Sequence, residues 1–448
     1  MDKKLTASSY LLLGSMLFGM FFGAGNLIFP VHMGQEAGSQ VFAATLGFLV
    51  TGIGLPFLGV MAIGVSKSSG LFELASRVHP GYGYLMTILL YLTIGPFFAL
   101  PRTGTVSYEI GLAPFIPGDY QALGLAGFTL LFFLAALLFS LRPSEILTWV
   151  GKVLNPLFLI FLAFLIIAGF LTPMGDVSAA GVQGAYAANP FLKGVTEGYN
   201  TMDALASLAF GIIVVQTIKG MGVNAPRNIA LATIKSGFVS VVLMGIIYSC
   251  LAYIGAMSVG QYPVSANGGI ALAQIANYYF GSAGSILLAI IVTLACLKTA
   301  VGLITACSET FVELFPRLCS YRAYVIVFTL FACLVANIGL TQIILLAIPA
   351  LMFLYPLAIA LILLALLSPL FKGRQIVYAL TTLCTLVVSI GDGLNALPAS
   401  VRNGELVQAV LGGYRMFVPY FDTGMGWVLP MLAGLVVGWI LSLGKQSH

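Results

Sequence analysis

The first long apolar segment contains residues that are poorly suited to a continuous helix. Its run FFGAGNLIFP, at 21–30, includes Gly23, Gly25, Asn26 and Pro30. Relative to Ala, Gly costs a helix about 1 kcal/mol and Pro about 3 kcal/mol. The run therefore predicts a break whose amides could hold a carboxylate and whose carbonyls could hold a cation. The alternative is that the glycines only permit close helix packing. The carboxamide of Asn26 would need a partner in lipid, and this favours the break.

A second polar stretch, GYNTMDALASLAFG at 198–211, opens another apolar segment. Asp203 would cost on the order of 3 kcal/mol at the centre of a membrane helix. It therefore either lines a site or caps a helix near the outer rim, where the cost is smaller. Ser207 could satisfy its hydroxyl by bonding to its own helix.

Two cations also fall within apolar segments. Arg102 follows the kink-prone run GPFFALP and shares a helix face with Glu109, which predicts an ion pair between them. Lys298 lies next to Thr299 in CLKTAVGLITACSE, at 296–309. An ammonium at such a position must pair, extend to the interface or lose its proton.

The elements that must position these residues are membrane-spanning helices. Hydrophobic residues make up 60% of the 448 residues and charged residues 7%, whereas soluble proteins carry about 25% charged residues. A spanning helix needs about 20 apolar residues, and uninterrupted apolar runs argue against a β-barrel. We predict an all-α polytopic membrane protein with about twelve spans, at 8–31, 40–65, 82–110, 121–141, 147–171, 194–218, 232–257, 284–308, 321–337, 342–367, 375–391 and 424–443.

The distribution of basic residues predicts the topology. Alternate loops collect most of the 19 Lys and Arg residues, and loops rich in Lys and Arg stay cytoplasmic. That side holds Lys3, Lys4, Lys67, Arg77, Arg142, Lys152, Lys219, Arg227, Lys235, Arg317, Arg322, Lys372, Arg374 and Lys445. Only Lys193, Arg402 and Arg415 fall on the other side, so both termini are predicted to be cytoplasmic.

The remaining residue types argue against catalysis. The six cysteines include no CxxC pair, and no His, Cys and Asp cluster or phosphate-binding glycine loop is evident. We expect no enzymatic activity, no cofactor, no nucleic-acid partner and no obligate protein partner.

Short motifs suggest an internal duplication. The pattern S-x-x-F-G begins at Ser15 and again at Ser207, and Arg102-Thr103 and Lys298-Thr299 recur at nearly the same separation. Five spans per copy require the second copy to be inverted in the membrane. The predicted divisions are a first repeat at 1–172, a second repeat at 173–370 and two additional helices at 371–448.

Several segments resemble the bacterial branched-chain amino acid:cation symporters. They are GAGNLIFP (23–30), LTIGPFFALPRT (92–103), EGYNTMDAL (197–205), SANGGIAL (265–272), TAVGL (299–303) and GDGL (391–394). The resemblance extends across nearly the whole chain. It implies a LeuT-type fold, with a five-plus-five inverted repeat and two C-terminal helices. It also implies uptake of leucine, isoleucine and valine across the bacterial cytoplasmic membrane, with sodium as the coupling ion.

The same resemblance implies which residues bind the ligands. Substrate would contact Phe22, Gly23, Ala24, Gly25, Asn26, Leu100, Ser207 and Phe210, and sodium would contact Gly19, Phe22, Asn26, Ala295 and Thr299. Neutral oxygen atoms suit a hard monovalent cation. Lys298 departs from that pattern, because its charge could take the place of sodium and make a proton the coupling ion. Asp203 is the other candidate for coupling. A proton-coupled transporter, an amino-acid channel and an amino-acid sensor therefore remain as alternatives.

Overall fold

The computed structural model describes residues 5–141, 145–223 and 225–444, and it describes no side chains at 20, 24, 145–155, 157, 158, 212, 226, 227 and 444. Lys3, Lys4, Arg142 and Lys445 lie outside these ranges, as do the side chains of Lys152 and Arg227. Their contribution to the topology stays a prediction.

The described residues form helices and no strands. The part of the chain up to residue 171 contains α1 (Ala7–Phe21), α2 (Ala24–Ala37), α3 (Val41–Leu49), α4 (Leu55–Ser66), α5 (Leu71–Ser76), α6 (Pro80–Leu92), α7 (Ala99–Gly111), α8 (Gln121–Leu141) and α9 (Glu145–Leu171). The rest of the chain contains α10 (Pro190–Glu197), α11 (Asp203–Gly220), α12 (Pro226–Ser258), α13 (Gly268–Leu314), α14 (Tyr321–Ala336), α15 (Leu340–Leu367), α16 (Gln375–Asn395), α17 (Ala399–Arg402), α18 (Glu405–Phe417) and α19 (Val428–Gly444).

The helices have the length and composition of a polytopic membrane protein. Within the described ranges, 7 helical stretches are long and apolar enough to cross a bilayer, and α11 adds a bent one. Shorter apolar helices include parts of α1, α9, α14 and α19. Every predicted span overlaps one or two helices, and the number of crossings stays a prediction.

Several of these spans are interrupted. Span one divides into α1 and α2 at Phe22–Gly23, and span six is preceded by a 3-10 turn at Gly198–Thr201. Span three changes to a π-helical turn at Thr93–Phe97, where Gly95 has non-helical backbone angles and Pro96 follows. Gly23 in span one and Gly95 and Pro96 in span three therefore coincide with breaks, whereas Gly25 and Pro30 lie inside α2.

The position of the break in span six bears on the predicted repeat. The interruption at Gly198–Met202 precedes the LASLAFG segment. The S-x-x-F-G motif of span six therefore follows this interruption, whereas that of span one precedes its break; α11 also bends by 43° between Gly211 and Ile213, directly after the motif. The inverted five-plus-five repeat stays a prediction.

Small residues allow the central helices to approach closely. A methyl group on Gly34 of α2 would overlap the carbonyl of Ala252 in α12, and one on Gly255 of α12 would overlap the carbonyl of Val31. Glycine at both positions brings the two backbones together, as is typical of membrane helices. The contact fixes α2, the second half of span one, against α12.

Candidate functional site

The break in span one is stabilised by Asn26. The N–H of Phe22 still bonds to the carbonyl of Phe18, at 2.8 Å. The N–H of Gly23 instead donates to Oδ1 of Asn26, at 2.9 Å. That diversion leaves the carbonyl of Gly19 without the bond it would accept from Gly23 in a continuous helix. The carboxamide predicted to need a partner therefore caps α2 and frees a carbonyl at the end of α1.

The other side of the same carboxamide links span one to spans six and seven. Nδ2 of Asn26 donates to Oδ2 of Asp203, at 2.5 Å, and to the hydroxyl oxygen of Tyr248 in α12. All three side chains are buried. Asp203 is the first residue of α11, where the helix dipole favours a negative charge. Asp203 therefore lies at a helix N-terminus and is buried inside the protein, and its part in a ligand site stays a prediction.

Arg102 of α7 binds the break in span six. Its Nη1 donates to the carbonyl of Asn200 at 2.7 Å, and its Nη2 contacts the carbonyl of Thr201 at 3.5 Å. The guanidinium also lies over the ring of Phe29, 4.9 Å from the centroid. It packs so closely against Gly25 that an added Cβ would lie 2.9 Å from Nη2.

The predicted ion pair between Arg102 and Glu109 is wrong. The structure forms no bridge between these two described residues. Carbonyls at a helix break lack their intrahelical partners, so they accept strongly from a guanidinium. A shared helix face cannot reveal this alternative, because the carbonyls belong to a segment distant in sequence.

Thr299 of α13 also lies beside the break in span one. A Cβ on Gly23 would lie 3.7 Å from Cγ2 of Thr299 and 3.8 Å from its Oγ1. The hydroxyl donates to the carbonyl of Ala295, at 3.1 Å, which leaves its lone pairs as acceptors. The structure therefore brings Gly23, Thr299 and Ala295 together. Lys298 is half-buried and forms no ion pair with any described residue.

The aromatic and aliphatic residues predicted at the substrate have different surroundings. Phe22 stacks on Phe18 at 4.8 Å and lies 6.1 Å from Tyr248 between ring centroids. Leu100 is fully buried and Phe210 is half-buried. The side chain of Ala24 is outside the described part of the chain.

Ser207 packs against α4. Its hydroxyl donates to the carbonyl of Ala204, at 2.7 Å, and a methyl group on Gly59 of α4 would overlap its oxygen. This geometry gives Ser207 a packing role between α11 and α4. Its contact with substrate stays a prediction, as do the ligand roles of the other residues.

Tyr248 is the member of this network that the sequence reasoning missed. It lies in an otherwise apolar helix, and a buried tyrosine hydroxyl usually has a hydrogen-bond partner. That signal marks it as a residue with a buried partner but does not identify Asn26.

Comparison with solved structures identifies the fold. The inward-facing conformation of Mhp1 aligns with a TM-score of 0.62 at 16% identity, covering 100% of this chain and 96% of Mhp1. A manganese transporter from Eremococcus coleocola aligns with a TM-score of 0.57 at 14% identity, covering 99% and 97% of the two chains. The chain thus shares the fold of LeuT-like transporters.

Comparison of sequences gives much nearer relatives. The branched-chain amino acid permease BrnQ of Lactobacillus delbrueckii subsp. lactis is 49% identical over 432 residues, or 96% of each chain. BrnQ of Bacillus subtilis is 45% identical over 447 residues, or 100% of each chain. A family model described as "Branched-chain amino acid transport protein" matches residues 6–445. The chain therefore belongs to the branched-chain amino acid transport protein family.

Proposed function

We propose that the protein is a secondary active symporter that imports leucine, isoleucine and valine together with sodium by alternating access. It would lie in the bacterial cytoplasmic membrane with both termini inside. Support for the substrate class comes from the family and from relatives named branched-chain amino acid permeases that match nearly the whole chain.

The observation that carries the sodium proposal is the proximity of Thr299 to Gly23, where an added Cβ would lie 3.8 Å from the hydroxyl oxygen of Thr299. Gly23 comes directly after the C-cap residue of α1, so the hydroxyl of Thr299 in α13 lies beside the break to which the released carbonyl of Gly19 belongs. Carbonyl and hydroxyl oxygens are neutral ligands of the kind that a hard monovalent cation prefers. We assign the ion to the carbonyls of Gly19, Phe22 and Ala295 and the hydroxyl of Thr299. Oδ1 of Asn26 already accepts from Gly23, so we give it a structural role in addition to any contact with the ion.

The substrate carboxylate is best accommodated at the start of α2. The first amides of a helix have no intrahelical acceptor and attract anions. The start of α11 already carries the carboxylate of Asp203, so it would repel a second negative charge. Ala24 and Gly25 supply the corresponding amides of α2. A Leu-sized side chain would gain about 2 kcal/mol from burial against neighbouring apolar residues such as Phe22 and Phe210.

Cation and substrate would then occupy the two ends of one break. The carbonyls of α1 would face the ion, and the amides of α2 would face the carboxylate. Each ligand favours the binding of the other through their opposite charges, and this coupling is reciprocal. Proton coupling through Asp203 or Lys298 is the alternative.

The test is leucine uptake by proteoliposomes that contain the purified protein. An inward sodium gradient and an inward proton gradient are imposed in separate experiments. We expect leucine to accumulate above equilibrium with sodium alone. Accumulation with protons alone would show that the coupling ion is a proton and not sodium. Equilibration of leucine without accumulation would indicate a channel.

A further inference from the structure

A cavity of about 350 Å³ lies beside the break in span six. It is lined by α10 and the loop before it, the 3-10 turn before α11, α15, the end of α16 and the loop at 422–424. This is the side predicted to face away from the cytoplasm. The volume is within the range of small-molecule sites, about 300–1,000 Å³.

Asp392 of α16 lines this cavity with an unpartnered carboxylate. The residue is only 2% exposed, and neither carboxylate oxygen has a hydrogen-bond partner in the described part of the chain. A buried polar group without a partner is costly and requires an explanation. Asp392 belongs to the GDGL segment, which has no role in the site at the breaks in spans one and six.

The other charges at the cavity are already compensated. Lys193 and Glu197 form an ion pair at 2.8 Å, and Glu197 raises the pKa of Lys193. Asp422 at the rim pairs with Arg415 at 3.0 Å. Asp392 therefore contributes the uncompensated negative charge of the cavity. One such charge suits a monovalent cationic group.

The remaining wall favours a ligand with an aliphatic part. Leu192, Ile348, Leu351 and Met352 line the cavity together with Asp392. The ammonium group of Lys193 donates one hydrogen bond to Glu197. Its other N–H groups could donate to the carboxylate of a ligand. A bare monovalent ion would use neither the apolar wall nor most of the volume.

We propose that this cavity is a second binding site for an aliphatic amino acid, whose α-ammonium group pairs with Asp392. The proposal rests on the proposed function and extends it to a second substrate molecule per chain. Asn200 lines the cavity, and its carbonyl accepts from Arg102 at 2.7 Å. The break in span six therefore lies between this cavity and Arg102. At this position the cavity would hold a substrate molecule before transport.

The test is equilibrium binding of radiolabelled leucine to the purified full chain in saturating sodium. We expect two leucine molecules per chain for the unmodified protein and one for Asp392→Asn. Met352→Trp, which fills the cavity and keeps the carboxylate, should also bind one. Asp119→Asn is the matched control, because it makes the same change at an exposed residue that does not line the cavity; it should bind two. Thermal unfolding of each variant verifies that it is folded.

Binding of radiolabelled sodium distinguishes the two cations that could pair with Asp392, the α-ammonium group of an amino acid and a sodium ion. Asp392→Asn should bind as much sodium as the unmodified protein. If Asp392→Asn bound less sodium than the unmodified protein but the same number of leucine molecules per chain, the assignment of the cavity to an amino acid would be overturned. One leucine per chain in both the unmodified protein and Asp392→Asn would also overturn it while leaving the symporter proposal intact. No leucine binding by the unmodified protein would instead contradict the proposed function.

Discussion

Replacing Arg102 by Lys should weaken leucine binding, because it removes the guanidinium that fixes the break in span six. The substitution keeps the positive charge but loses the planar fork, which a single ammonium cannot reproduce. Nη1 and Nη2 bond to two consecutive carbonyls, those of Asn200 and Thr201. The lysine ammonium is one bond nearer to the backbone than the guanidinium nitrogens are, so we expect it to lose the bond to Asn200 as well as the contact with Thr201.

The magnitude follows from the two distances. The 2.7 Å bond to Asn200 is a full charge-assisted hydrogen bond, whereas the 3.5 Å contact to Thr201 contributes little. Hydrogen bonds to charged groups contribute about 1.5–3 kcal/mol. If leucine binds only when the break has this conformation, a loss of about 2 kcal/mol lowers the affinity about 30-fold.

The assay is the dissociation constant of leucine for the purified protein at saturating sodium, measured together with thermal unfolding. Arg77→Lys is the matched control. Arg77 donates to the carbonyl of Ser66 at 2.6 Å and to the hydroxyl of Tyr378 at 3.5 Å, a similar pair of distances outside the site. We expect this control to change the unfolding temperature and leave leucine affinity within about threefold.

Two results would refute this reasoning. Unchanged leucine affinity in Arg102→Lys would show that the guanidinium does not hold the break in its binding conformation. An equal loss of affinity in Arg77→Lys would show that the effect is a general consequence of instability.

Three further predictions concern the break in span one and the coupling ion. Thr299→Ala should raise the sodium concentration for half-maximal leucine uptake at least tenfold, since it deletes a ligand worth about 1.4 kcal/mol or more, while Thr299→Ser should retain the wild-type value. Gly25→Ala should reduce leucine uptake, because the new methyl group would lie 2.9 Å from a guanidinium nitrogen; Gly302→Ala, with no atom within 4 Å of the added carbon, should transport normally. Lys298→Met should leave sodium activation of uptake unchanged if sodium is the coupling ion, whereas altered activation in this variant or in Asp203→Asn would give that residue a part in coupling.

The break in span one could be predicted because its causes are local. Glycine and proline disfavour a helix wherever they lie, and a carboxamide within an apolar run must find a partner. Both arguments need only the run at 21–30, and the structure breaks at Phe22–Gly23 with Asn26 as the cap.

The break in span six is less evident in the sequence. It ends at Met202, a non-glycine residue with a left-handed φ of 62°. Such a conformation is uncommon outside glycine, asparagine and aspartate, so no residue type marks it. The surrounding contacts, including Arg102 on the preceding carbonyls, select it. Those contacts are tertiary and could not be read from spacing.

The same limit explains which site residues were identified. Thr299 was placed near span one through the resemblance to a family, and the structure locates it beside Gly23. Tyr248 and the carbonyl partners of Arg102 come from segments remote in sequence, so their roles depend on helix packing. Ser207 was proposed through a repeated motif, and the structure shows its hydroxyl bonded to Ala204 and close to α4; its contact with substrate stays a prediction.

The central claim is that cation and amino acid are coupled at the break where Gly23 meets Thr299. Its most direct test is the uptake of radiolabelled sodium into proteoliposomes driven only by an inward leucine gradient. We predict that sodium accumulates transiently above equilibrium with the unmodified protein and much less with Thr299→Ala. Leucine entry without any sodium accumulation in the unmodified protein would contradict the claim.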